Sequence, residues 1–167
     1  MNIGITGHQR LDNDSIWAWV EEAMRKELSQ YSTSLLGVSS LAMGADQLFA
    51  RIVLELGGAV HAIIPYAGIE RSFSSSEDLQ RYRTLVADAT IETLDTPGSD
   101  QDAYLAAGFR VVDLSSLLIA VWDGLPAKGK GGTADVVDYA SSKRIPIVHI
   151  NPIDSSIVRV LPSTFRQ

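Results

Sequence analysis

The chain has no cysteine, which excludes disulfides and thiolate metal sites. Its three histidines, His8, His61 and His149, stand far apart and offer no metal-ligand spacing, so neither a metal nor a cofactor is expected. Long apolar runs are missing too: the longest are strand-sized, which argues against a membrane-spanning helix. The amino terminus lacks a basic region followed by a long apolar stretch, so no secretory leader is expected and a cytoplasmic protein is the default. Positive charge is in deficit, with 14 Lys+Arg against 20 Asp+Glu and a net charge of -6. Nucleic-acid backbones recruit proteins largely through positive charge, so nucleic-acid binding is not expected from this balance. Repeats, linkers and low-complexity segments are absent as well. What remains is a chain of 167 residues, 46% hydrophobic and 20% charged, expected to bury one substantial core as a single domain over 1–167.

What is present is an alternation of strand-like and helix-like segments. Residues 2–6 are apolar and β-branched and run into Gly7-His8-Gln9-Arg10, a common opening for an α/β domain. Cap candidates at 12–15 precede an amphipathic helix over 16–28. A second strand at 35–41 meets a tight turn, Ala42-Met43-Gly44-Ala45-Asp46, and a helix that Gly57-Gly58 ends. A third strand at 59–64 closes on Pro65-Tyr66. The polar segment 68–76 reads either as a mobile loop over a site or as an ordinary connection. A helix over 77–89, a short strand at 90–94 and a helix over 101–115 follow. The run LLIAVW at 117–122 suits a strand buried on both faces. Beyond it come Asp123-Gly124, a Gly-rich turn holding Lys128, Lys130, Gly131, Gly132 and Thr133, a helix with Ala134, Val137 and Ala140 on one face, and a strand at 145–150. The tail has no clear period and reads as an edge element or a subunit contact. Such alternation predicts a doubly wound, mainly parallel Rossmann-like α/β sheet with helices on both faces.

Ligands of such sheets lie beyond the carboxyl ends of the strands. Gly7, His8 and Arg10, Gly44, Ala45 and Asp46, Pro65 and Tyr66, Asp123 and Gly124, and Gly131, Gly132 and Thr133 all fall at those ends. The last group joins glycines to a helix start, where backbone N–H groups and the helix dipole favour an anion such as phosphate. The alternative is a plain turn with Thr133 as helix cap. The spacing is not a Walker A motif, because Lys130 precedes the last glycines, and GITGHQR is not a GxGxxG fingerprint. Asp123 either accepts ribose hydroxyls or forms an Asp-Gly turn. Asp46 either contacts ligand or caps its helix. His8 and Arg10 suit an anionic ligand; Arg83 offers further charge, whereas Arg81 reads as part of a solvated face. Trp17, Trp19 and Trp122 read as core residues.

The segments GITGHQR, MGADQLFA, IPY and AVWDGLPAKGKGGTADVVDYA together resemble the SLOG superfamily, the Rossmann-like nucleotide-binding domains related to LOG phosphoribohydrolases and DprA, over residues 1 to about 152. The resemblance implies a nucleotide or ADP-ribose-like ligand, phosphate at the Gly-rich turn and ribose near the strand ends. It also implies a homodimer or larger homo-oligomer. The GGxGTxxE pattern of LOG enzymes maps onto Gly129 to Val136, which places Val136 where those enzymes hold a catalytic glutamate. Valine can neither attack nor stabilise an oxocarbenium-like centre. Asp135, one residue earlier, is about 100° away around the helix.

The expectation is therefore a sensor or ligand-binding module for a nucleotide-derived small molecule. The rival expectation is an N-glycosidic hydrolase or transferase, LOG phosphoribohydrolase-like or deoxyribosyltransferase-like, with a displaced carboxylate from Asp123, Asp46 or Asp135.

Overall fold

The computed structural model describes residues 1–126 and 132–162. Strand β1 (Asn2–Gly7) leads to helix α1 (Asp14–Ser29), β2 (Leu36–Ser39) to α2 (Ala45–Glu55), and β3 (Ala59–Ile64) to α3 (Ser76–Ala87). Then come β4 (Ala89–Thr93), α4 (Asp100–Asp113), β5 (Leu117–Val121), α5 (Thr133–Ser142), β6 (Ile147–Asn151) and β7 (Ser156–Val160). The strands form one sheet in the order β4-β3-β2-β1-β5-β6-β7, parallel throughout except for the antiparallel edge strand β7. The predicted fold class is thus the observed one.

The alternation of side chains along each strand sorts the helices into two layers. Leu117, Ile119 and Val121 join α1 and α2 in one core cluster, whereas Leu118 and Ala120 join α5 in another. Val38 and Ile63 meet Ala107 and Val111 of α4. Helices α1, α2 and α3 therefore cover one face, and α4 and α5 the other. All five residues of β5 are buried, as its unbroken apolar sequence requires of a strand covered on both sides.

Three of the five helices start at a side-chain cap. Asn13 caps α1, Ser75 caps α3, and Ser99 with Asp102 forms a capping box on α4. Helix α2 also begins at its predicted place, although its cap is Gly44, and α5 begins after Gly132; neither glycine supplies a side-chain cap. Among the described residues no helix is long and apolar enough to cross a membrane.

Candidate functional site

The chain steps outward from β1 to β4 and then returns through α4 to place β5 on the other side of β1. That reversal is the topological switch point, where open α/β sheets form their ligand crevice. Three segments lock together there. The His8 N–H donates to the Val121 carbonyl at 3.0 Å, and the Ala45 N–H donates to the His8 carbonyl at 3.1 Å. The Asp123 N–H donates to His8 Nε2 at 3.1 Å, which assigns the ring proton to Nδ1. A Cβ on Gly7 would lie 2.6 Å from Ala45 Cβ and 2.8 Å from Val121 Cβ, so only glycine lets α2 and β5 close on β1. Gly44 has φ 81 and ψ -122, and a Cβ there would lie 2.6 Å from the His8 carbonyl oxygen. The predicted residues Gly7, His8, Gly44, Ala45 and Asp123 are thus brought into one junction.

Asp123 forms the Asp-Gly turn that its sequence offered. Its Oδ1 accepts the Leu125 N–H at 2.9 Å, closing an Asx turn through Gly124, which has φ 83. Its Oδ2 lies 3.4 Å from His8 Nε2, and both side chains remain partly exposed, at 22% and 28%. Trp122 closes the same turn by donating from Nε1 to the Leu125 carbonyl at 2.8 Å.

Asp46 has a different environment. It is buried, and its Oδ2 accepts from Ser40 Oγ at 2.7 Å, from the Ser40 N–H at 3.1 Å and from Ser39 Oγ at 3.3 Å. Burial pushes its carboxyl up to about 6 against the opposing pull of these hydrogen bonds. The carboxylate therefore braces the loop between β2 and α2, where Leu41 is buried at φ 56 and donates its N–H to Ser39 Oγ. The expected second strand ends at Ser39 because this bracing turns the chain away.

Beyond the junction the predicted residues disperse. Gly132 is the N-cap of α5 and Thr133 its first residue, both half-buried at the carboxyl end of β5. Gly131, with Lys128 and Lys130, lies outside the described residues. Pro65 is buried, and Tyr66 packs edge-on to Tyr104 and donates to Asp100 Oδ2 at 3.5 Å on the β3–β4 side. Arg83 sits exposed on α3 and is engaged with Glu70 through bonds of 3.1 and 2.7 Å. Arg10 is exposed and makes no ion pair among the described residues. It stands at the upper end of a groove of about 1010 Å³ that runs along α2 between α1 and α3. Near that groove Arg51 bridges Glu21 and Glu55 at 2.8 and 2.9 Å, and Arg25 joins the same pair. Hydrogen bonds from Arg51 and Arg25 hold the Glu21 carboxyl below the usual range.

Two features were not read from the sequence. Val136 is buried and packs its Cγ2 where a Cβ on Gly108 of α4 would stand, at 2.6 Å. The position therefore points between α4 and α5, and a glutamate there would have to leave the core to act. The segment 68–76 carries local structure: Gly68 takes a left-handed conformation, a 3₁₀ turn spans Ile69–Ser72, and Phe73 packs on Tyr82 with ring centroids 4.9 Å apart.

No family model and no curated protein matches the chain by sequence. Solved structures do match. DNA processing protein A (DprA) from Streptococcus pneumoniae superposes with a TM-score of 0.65 at 17% identity, covering 89% of this chain and 49% of that one. DprA from Helicobacter pylori gives 0.66 at 15%, covering 89% and 64%. The molybdenum cofactor binding protein from Rippkaea orientalis gives 0.56 at 17%, covering 90% and 76%. All are SLOG-superfamily proteins. The chain shares their Rossmann-like fold. It spans about half of one DprA chain and under two thirds of the other.

This shared fold corrects the expectation about nucleic acid. The H. pylori protein is described by its single-stranded DNA binding mode, so nucleic-acid binding cannot be set aside for a chain of this fold on its net charge of -6. The physical reason is that net charge sums the whole surface, whereas a bound strand responds to the local potential of its groove.

Proposed function

We propose that this chain is a ligand-binding module that takes a nucleotide-derived, phosphate-bearing molecule at the carboxyl ends of β1 and β5. Phosphate would rest on the first turn of α5, at Gly132 and Thr133. The sugar would lie toward His8 and Asp123, walled by Gly7, Gly44, Ala45 and Gly124, with Arg10 as the nearby cation. The observation that carries this reading is the switch-point junction: backbone groups of β1, β5 and α2 are fixed to one another beside a helix whose glycine cap leaves its N-terminal end without a side chain. Such an end favours an anion through its N–H groups and its dipole.

Binding without cleavage is the better-supported form. Asp46 is enclosed by its own loop, and the position of the LOG glutamate is a buried valine. Calorimetry against AMP, ADP-ribose, cyclic ADP-ribose isomers and a single-stranded oligonucleotide tests the reading, since proteins of this fold bind ligands as different in size as a DNA strand and a molybdenum cofactor. Micromolar binding of at least one is expected, without release of free base from nucleoside monophosphates. Silence from the whole panel at millimolar concentration would sink the proposal. Base release abolished by Asp123→Asn would replace it with the glycosidic reading.

A further inference from the structure

Helices α1 and α3 each pack against α2 and leave between them the groove of about 1010 Å³. Its floor is apolar. Trp17 and Ala18 of α1, Met43 before α2, Leu48 and Leu54 of α2, and Leu85 of α3 line it, and of these only Leu85 is buried. Along α2 the lining residues Leu48, Arg51 and Glu55 recur at the three- and four-residue spacing of one helix face, so the groove follows that helix. Its rims are charged, with carboxylates in excess: Asp14, Glu21, Glu55, Asp78 and Asp88 stand against Arg10, Arg51 and Arg81. Two of these arginines are engaged within the chain, Arg51 with Glu21 and Glu55 at 2.8 and 2.9 Å, and Arg81 with Asp78 at 3.1 Å. Asp14 and Asp88 are exposed and form no ion pair among the described residues.

We propose that this groove docks an amphipathic helix of a partner protein, its apolar stripe on the floor and its lysine or arginine side chains toward the carboxylate rims. The volume fits. At a diameter of about 10 Å and a rise of about 1.5 Å per residue, the space takes roughly two turns of helix. The shape favours a helix over a small molecule, because the apolar residues are spread along α2 and the rim groups pair with one another instead of converging on one point. Charge decides the partner's sign. An acidic helix would meet the excess of carboxylates, and a second copy of this face would set Asp14 and Asp88 against like charge on a chain already at -6. A basic helix removes that repulsion, and its attraction to the rims speeds the encounter. The upper end of the groove is formed by Gln9, Arg10 and Gly44, so a docked helix also touches the turn through which β1 meets α2. The proposal stands on the groove alone and is independent of the ligand-binding reading.

The probe is a stapled helical peptide of about three turns, leucine along one stripe and lysine elsewhere, read by fluorescence anisotropy against the whole chain. A version with glutamate in place of lysine and a version broken by prolines serve as comparisons. The lysine peptide should bind with micromolar Kd, roughly tenfold or more tighter than either comparison. Ala18→Arg, at an exposed helix position that accepts arginine, sets a long cation on the apolar wall and should weaken the lysine peptide roughly tenfold or more. Asp14→Asn combined with Asp88→Lys reverses the excess on the rims; it should weaken the lysine peptide about fivefold and strengthen the glutamate one. Thermal melts at the wild-type temperature confirm that both variants fold. Equal lysine-peptide affinity in wild type and Ala18→Arg overturns the groove, because general attraction to an acidic chain does not depend on that wall. Tighter binding of the glutamate peptide overturns the charge assignment, and no binding at millimolar concentration overturns docking altogether. A wild type that sediments as a dimer, with Ala18→Arg as a monomer, gives the groove to a second copy and overturns the proposal as well.

Discussion

Helices α2 and α5 begin alike and are finished differently. Each follows a strand of the parallel sheet, each starts after a glycine with no side-chain cap, and each carries an aspartate in its first turn, Asp46 or Asp135. At α2 the protein closes the end itself. The Ala45 N–H donates to the His8 carbonyl, and Asp46 is buried under hydrogen bonds from Ser39 and Ser40. At α5 the cap, Thr133 and Asp135 are only half-buried. The first glycine admits the close approach of another backbone, and the second caps its helix without a side-chain hydrogen bond. One helix end is a buttress of the crevice, and the other is the end at which the proposal above places an anion.

The comparison breaks most visibly at Gly44. Replacing it by alanine sets a Cβ 2.5 Å from the Gln9 carbonyl oxygen at a positive φ that disfavours any side chain. The expected loss is roughly 3 kcal/mol or more in urea denaturation, from strain and overpacking together. A loss below about 1 kcal/mol would mean that α2 does not meet β1 through this residue.

The next effect lies in Asp46 and is read against pH. Its folded pKa, about 6, stands above the ordinary 3.8, so the native chain holds a proton that the unfolded chain has released. This stabilisation is complete below the unfolded pKa and is lost as pH rises through the folded one. Between pH 4 and 7 the wild type should lose on the order of 3 kcal/mol relative to Asp46→Asn, which lacks the titration. Comparing the two proteins cancels the opposite slopes of carboxylates held down by arginines, such as Glu21, Glu55 and Glu92. Parallel stability-versus-pH curves for the two would remove Asp46 from the buried network.

The parallel core and the order of its elements were legible because strand-sized apolar runs and caps repeat with the right lengths. What escaped was decided by contacts distant in sequence. Strand β7 carries Ile157 and Val158 side by side, both about half exposed, so it shows no alternation; pairing with β6 and the Arg159–Glu27 ion pair hold it. Arg83 suggested free charge, but Glu70, 13 residues back, already holds it. At Asp46 the sequence showed a carboxylate at a helix start, and only the fold shows three donors closing over it. Tyr82 is buried although it stands between Arg81 and Arg83 in sequence. Leu79 and Leu85, three residues to either side, were the signal that its face turns inward.

The finest probe of the comparison is Gly132→Asp at the start of α5. In stability terms aspartate is a good N-cap, since its carboxylate accepts the N–H groups of the first turn, and the gain over glycine is a few tenths of a kcal/mol. In binding terms the same carboxylate occupies the anion position and repels phosphate. The variant should therefore melt at or slightly above the wild-type temperature. Its affinity for the tightest nucleotide of the panel should fall at least tenfold, about 1.4 kcal/mol. Gly44→Ala is expected to do the reverse in kind, lowering stability through backbone contact without placing a charge in the crevice. Undiminished nucleotide affinity in Gly132→Asp would show that the two glycine-capped helices are both scaffold, and that phosphate must be sought elsewhere along the strand ends.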